Sequence, residues 1–235
     1  MKRLLVLLFA VCISCKPAAP PPPKPAAAGP QQRATVVTIR TTVDKKTFDH
    51  ALVIAGDRAR FTGENDTWRL FDTKANTVTF VDDVERTIRT EPLTAIAARR
   101  RAANTTAIAE AYPRARLMRT NQTKPLHGAT AHAAVIESGQ YRRELWLAEH
   151  PSIPRGLFAM MHASEKQSSP LAPMMNAVDE ALAAERGFPL LERATLNDKV
   201  LIQREVTAIA QREVPQTMLA LPKGYKDVTP KVTRR

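Results

Sequence analysis

The chain has 235 residues, with 35 Lys+Arg against 23 Asp+Glu, a formal net charge of +12 and 44% hydrophobic residues. That balance excludes a chain disordered throughout and a protein of many membrane spans. Its two cysteines, Cys12 and Cys15, stand at the very start, so the remainder can form neither a disulfide nor a thiolate metal site.

Lys2 and Arg3 precede an apolar run, Leu4 to Ile13, that closes in Ser14-Cys15-Lys16. As a helix this run rises only about 15 Å, roughly half a bilayer core, so residues 1–14 read as an export signal rather than a span. Ile13-Ser14-Cys15 resembles the lipobox of bacterial lipoproteins, in which the Cys is diacylated on sulfur and becomes the mature N-terminus. The resemblance implies lipidation at Cys15 and a membrane partner reached through the acyl chains, each buried CH₂ contributing about 0.8 kcal/mol. Cys12 stands where the motif usually has Leu. Lys16 is not the Asp that resembles an inner-membrane retention signal, so an outer-membrane destination is favoured.

Residues 15–33 follow as a Pro-rich linker, with KPAAPPPPKPAAAGP at 16–30. Polyproline II at about 3.1 Å per residue gives a stand-off of up to roughly 55 Å. Residues 34–228 are long enough for one domain with a sizeable core, and 229–235 form a basic tail.

The domain opens as β. Val37, Ile39, Thr41 and Val43 alternate with polar neighbours, and alternation returns at 58–62, 67–70, 76–81 and 86–90, with hairpin turns at Ala55-Gly56-Asp57 and Thr73-Lys74-Ala75-Asn76. Pro92 marks a helix start before an alanine-rich stretch that ends by Pro113. β signal resumes at Arg116, then 130–137 and 141–148. A second helical region runs from Pro154 to Arg186, with Met174, Val178, Ala181 and Leu182 on one face and Gly187 as its stop. Strands at 190–196 and 200–210 close the domain. The expected fold class is α+β: a strongly curved antiparallel sheet with two helical insertions packed on its concave side.

Three stretches carry a family resemblance. HGATAHAAVIESGQYRRELWLAEH at 127–150 looks like paired strands ending in a Trp-containing strand; Gly187-Phe188-Pro189-Leu190 opens the next strand; Val214-Pro215 precedes Leu221-Pro222-Lys223-Gly224-Tyr225. In this order they are similar to bacterial envelope proteins, many secreted or lipidated, whose fold is that of the lipoprotein carriers LolA and LolB. The chain departs from that pattern at His127-Gly128, where an aromatic often follows the Gly, and at Met218-Leu219-Ala220, where Phe is commoner before the Pro. The resemblance implies a half-barrel able to hold an acyl chain or another apolar ligand between sheet and helices, with lipid or another lipoprotein as the partner, or filled by its own side chains. It assigns a function to no residue.

The chemistry-bearing residues add little. His50, His127, His132, His150 and His162 show no HExxH or similar spacing, and His127 and His132 fall on opposite faces of a regular strand. Met160-Met161-His162 with Met174-Met175 invites a Cu(I) reading, against which stands the use of Met as core filler. Ser138-Gly139 lacks the preceding glycine of a nucleophile elbow, and there is no phosphate-binding loop. No catalytic residue and no cofactor is therefore expected. The charge gathers at Arg99-Arg100-Arg101, at Arg114, Arg116 and Arg119, and at Arg142-Arg143. Of these, Arg99, Arg100, Arg101, Arg142 and Arg143 are candidate contacts to anionic headgroups, weighed against a merely solvated basic face. Nucleic acid is set aside because aromatics make up only 5% and the chain carries an export signal. The expectation is a lipid-anchored, periplasm-facing, non-enzymatic module binding lipid or another apolar ligand, the alternative being a scaffold with a filled concave face.

Overall fold

The computed structural model describes residues 29–63, 67–103, 115–165, 178, 181–183 and 185–230, without side chains at 100–103. Six strands come first: β1 (Gln31–Val43), β2 (Lys46–Ala55), β3 (Arg58–Thr62), β4 (Thr67–Asp72), β5 (Thr77–Asp82) and β6 (Thr87–Pro92). Helix α1 (Leu93–Ala103) leads to β7 (Arg116–Leu126), β8 (Ala129–Ser138) and β9 (Tyr141–Ala148). Helix α2 (Leu157–Ser164) precedes β10 (Phe188–Leu196) and β11 (Lys199–Pro215). A 3₁₀ turn (Gln216–Leu219) and β12 (Lys226–Asp227) complete the described elements.

All the described strands belong to one 12-stranded sheet in the order β12-β6-β5-β4-β3-β2-β1-β11-β10-β9-β8-β7. Two meanders, β1 to β6 and β7 to β11, are joined in the middle by the long antiparallel pair β1–β11, which runs from Gln31 opposite Pro215 to Thr42 opposite Gln203. The sheet does not close, since β7 and β12 are its edges. Its alternation follows the sequence: Val37, Leu52, Phe61, Arg69, Phe80 and Arg89 are successive cross-strand partners and so share one face.

Curvature shows in what the helices and turns reach. On a flat sheet β4 and β10 would stand about 24 Å apart, at about 4.8 Å per strand, yet α2 packs on both. Likewise His127, in the β7–β8 turn, donates from Nε2 to the Val206 carbonyl of β11 at 2.6 Å. That carbonyl lies where β1 slips register against β11. Ile96 of α1, Leu157, Phe158 and Met160 of α2, and Val178 and Leu182 join one core with Val37, Leu52, Phe71, Val78, Ile136 and Leu145 from the sheet. Both helices thus pack on the concave side.

The convex side has smaller clusters. Trp68, Leu70 and Val81 meet Leu219, with Tyr225 packed against them, while Ala34, Val53 and Val214 form another patch. The C-terminal segment is therefore a strap over the back of the sheet, held by Lys226 N–H to the Arg86 carbonyl (2.9 Å) and Val228 N–H to the Ile88 carbonyl (2.8 Å). Strand pairing also starts at Gln31, inside the segment expected to be linker, because Gln216 N–H bonds the Pro30 carbonyl and fixes the chain there.

Antiparallel pairing sorts the turns. The end at which Pro30 enters carries turns 56–57, 73–76 and 127–128 and the β9–α2 connection, 149–156; the far end carries turns 44–45, 83–86, 139–140 and 197–198. Gly56 (φ 56°) and Gly128 (φ 77°) occupy left-handed positions that their tight turns require.

Candidate functional site

Polar residues gather on the concave face under α2. The apolar rows of β9 and β10 are each interrupted by one charge: Arg143 between Tyr141 and Leu145, and Glu192 between Leu190 and Ala194. Both are buried, and Arg143 Nη2 lies 2.8 Å from Glu192 Oε1. Arg204 of β11 approaches Glu192 at 3.5 Å and Glu165, just beyond α2, at 3.1 Å. From β4, Arg69 Nη1 donates to Ser164 Oγ at 3.0 Å, and that hydroxyl donates to the Met161 carbonyl at 2.8 Å. Arg143 Nη1 donates to His162 Nε2.

Aromatic faces complete the lining. Arg143 stands over Phe158 at 5.5 Å and Arg69 over Phe61 at 5.4 Å, both in the range of cation–π attraction. Burial alone would raise the Glu192 carboxyl, but Arg143 and Arg204 outweigh it and hold it below the ordinary value. Burial lowers Arg69 and raises the Tyr141 phenol. Arg204 is raised, since Glu192 and Glu165 overcome its own desolvation. Chemically this arrangement ties sheet to helix: three guanidiniums from three strands meet two carboxylates and an imidazole. The Arg143 Nε has no partner.

The residues singled out by sequence fare differently. Arg143 is corrected outright: it is 1% exposed and cannot present its guanidinium to a headgroup. The physical reason is strand alternation, which sends neighbouring residues to opposite faces. Arg142 is exposed on the outer face, paired with Glu137 and with Glu144 (3.1 Å). Arg99 is spoken for as well, 2.5 Å from the buried carboxylate of Glu91; Arg89 Nε lies 2.8 Å from the other oxygen of that group, an ion pair without hydrogen-bond alignment. The side chains of Arg100 and Arg101, and Cys15, Arg114, Met174 and Met175, lie outside the described residues.

Met160 is buried and Met161 packs against the core. A guanidinium occupies His162 Nε2, one of the two ring nitrogens the Cu(I) reading could use. Among the described residues no group of three His, Cys, Asp or Glu could hold a metal ion, and no helix is long and apolar enough to cross a membrane. Sequence reading missed Arg69, Glu192 and Arg204. The usable signal was a charge at a period-2 position between apolar residues, as in Leu190-x-Glu192-x-Ala194.

No family model and no curated protein matches the chain. Among solved structures it is similar to PNGF-II in its P21 crystal form, at 11% identity and a TM-score of 0.49 over 85% of this chain and 32% of that one. The C2 form of the same protein gives 10% identity and a TM-score of 0.47, over 86% and 31%. The chain thus spans about a third of the length of the protein it is similar to.

Proposed function

We propose that this chain is a lipid-anchored protein of the cell envelope, acylated at Cys15, that works as a non-enzymatic interaction module on a LolA/LolB-like half-barrel whose concave face is filled by its own side chains. The observation that carries this reading is the occupancy of that face. Leu52, Phe71, Val78 and Leu157 are fully buried, and an ion cluster lies beneath α2. An acyl chain placed there would strip buried charges of their partners, at several kcal/mol per ion. What remains for recognition is the outer surface of the domain.

A second reading, a carrier for lipid or another apolar ligand, draws on Phe61 and Phe80. They are only partly buried, line the same face beside Arg69 and Arg89, and would form an apolar floor if α2 were lifted. One pair of measurements separates the two. Gently purified protein is expected to carry no lipid by mass spectrometry, and titration with a fluorescent fatty-acid analogue is expected to be flat. Stoichiometric lipid or saturable dye uptake refutes the filled module in favour of the carrier. For the anchor, Cys15→Ala is expected to release the chain from the membrane fraction, and unchanged membrane association removes lipidation from the reading.

A further inference from the structure

Two adjoining clefts of about 440 and 610 Å³ open at the end of the sheet where the chain enters, and they share Glu149, Pro151 and Arg186. Their other cations are already matched: Arg119 lies 2.6 Å from Glu185 Oε2 and Arg155 lies 2.7 Å from Glu149. The remaining Glu185 oxygen accepts the backbone N–H groups of Arg186 (2.9 Å) and Gly187 (2.7 Å). Neither carboxylate is left to neutralise Arg186. Its exposed guanidinium has no hydrogen-bond or ion-pair partner among the described residues.

His150, in the wall of the smaller cleft, accepts the Ser152 N–H at Nδ1 (3.2 Å), so its neutral ring carries the proton on Nε2 as a donor. Burial, with His127 nearby, holds it below the ordinary imidazole value and keeps the ring neutral at neutral pH. Among the described residues the cleft therefore offers an unmatched cation and a neutral donor, the complement of a phosphodiester oxygen pair.

We propose that this cleft seats the phosphate of an anionic phospholipid headgroup in the bilayer that holds the chain, with Arg186 as its cation and His150 as its neutral donor. The proposal rests on the lipid-anchor reading. Position favours a bilayer over other sources of phosphate, because the spacer tethers this end of the domain, and contact with the chain's own membrane is made by this end first.

The test uses the processed, acylated chain in vesicles of phosphatidylcholine alone and of phosphatidylcholine with phosphatidylglycerol. A fluorophore is placed on Pro151→Cys at the cleft or on Lys45→Cys at the far end, and a quencher on the headgroups. Flotation with pure phosphatidylcholine vesicles reports the anchor by itself. Quenching at Pro151→Cys is expected to rise with phosphatidylglycerol while Lys45→Cys does not respond. Arg186→Gln should weaken that dependence about fivefold, the effect of one basic residue at a surface, and Arg186→Lys should restore most of it. Quenching independent of composition, or unchanged in Arg186→Gln, overturns the proposal. If the chain does not float at all, the anchor reading falls and the cleft is judged in solution with dihexanoyl phosphatidylglycerol. A shift of the His150 ring resonances that inorganic phosphate does not produce upholds the headgroup seat; equal shifts from both, or none, overturn it.

Discussion

Arg143 and Glu192 meet at 2.8 Å from neighbouring strands of the concave face, their side chains only 2% and 3% exposed. Beneath α2 the described cluster holds Arg69, Arg143 and Arg204 against Glu165 and Glu192, so removing an acid worsens the imbalance and removing Arg143 relieves it. Glu192→Gln is expected to cost ~3–5 kcal/mol, the range for a buried pair deprived of one partner. Arg143→Met should cost less, because Glu192 keeps Arg204. Arg142→Ala, on the outer face, should stay within ~0.5 kcal/mol. Chemical denaturation of the three variants checks the order, and an equal cost for Glu192→Gln and Arg142→Ala refutes the cluster's structural role.

The same carboxylate sets an acid limit. Glu192 lies below its ordinary value in the fold, so the folded state binds its proton less readily than the unfolded chain. Its contribution is complete above the usual carboxylate range, about pH 4.3, and is lost as pH falls through the folded value. The stability gap between the native chain and Glu192→Gln is therefore expected to be widest near neutrality and to narrow on acidification. Denaturation midpoints measured across that window test this, and a gap constant with pH contradicts it.

Much of this architecture was readable from alternation. Val37 to Val43, the β4–β5 turn, the helix after Pro92 and the strand containing Trp146 all stand where period and punctuation put them. β2 was missed because Lys46 to His50 is exposed or half-exposed and hides the apolar half, 51–55, behind it. The strap at 216–228 was missed as structure because its anchors, Leu219 and Tyr225, sit in irregular backbone with no period to detect. At the candidate site the error was to treat Arg142-Arg143 as a patch. Charge clustering in sequence and charge clustering in space coincide on a helix face or a loop, but a strand separates adjacent residues by its full thickness. Glu192 and Arg204 are 12 residues apart and meet only through the β10–β11 register, which composition cannot supply.

The strap has a measurable load. Leu219 is buried against Trp68, Leu70 and Val81; Arg60 donates to the Met218 carbonyl at 3.2 Å while lying 3.9 Å over the Trp68 ring. The Trp68 indole N–H donates to Asp83 Oδ2 at 3.1 Å, and the Tyr225 hydroxyl to Asp83 Oδ1 at 2.9 Å. Ending the chain after Pro215 is expected to uncover Trp68 and shift its emission to longer wavelength, best read with Trp146→Phe as background. Leu219→Ala should cost ~2–5 kcal/mol through the cavity it leaves, whereas exposed Leu221→Ala should cost little. Unchanged emission in the shortened chain shows that the strap does not cover the indole.

Gly187 is a position where a single added methyl group should be felt. A Cβ there would stand 3.2 Å from Leu147 Cβ and from Glu185 Oε1, and 3.5 Å from the Ala148 backbone nitrogen, so strand β9 itself blocks it. The Gly187 N–H also donates to Glu185 Oε1 at 2.7 Å, and the contact that holds Glu185 toward Arg119 would have to loosen. Gly187→Ala is accordingly expected to lose ~1–3 kcal/mol by overpacking, while Gly29→Ala, with nothing within 4 Å of its Cβ position, should be neutral. Because Arg186 adjoins this residue, Gly187→Ala should also alter the response at the cleft. Native stability in Gly187→Ala, measured by the same denaturation, refutes the close approach of β9 to the start of β10.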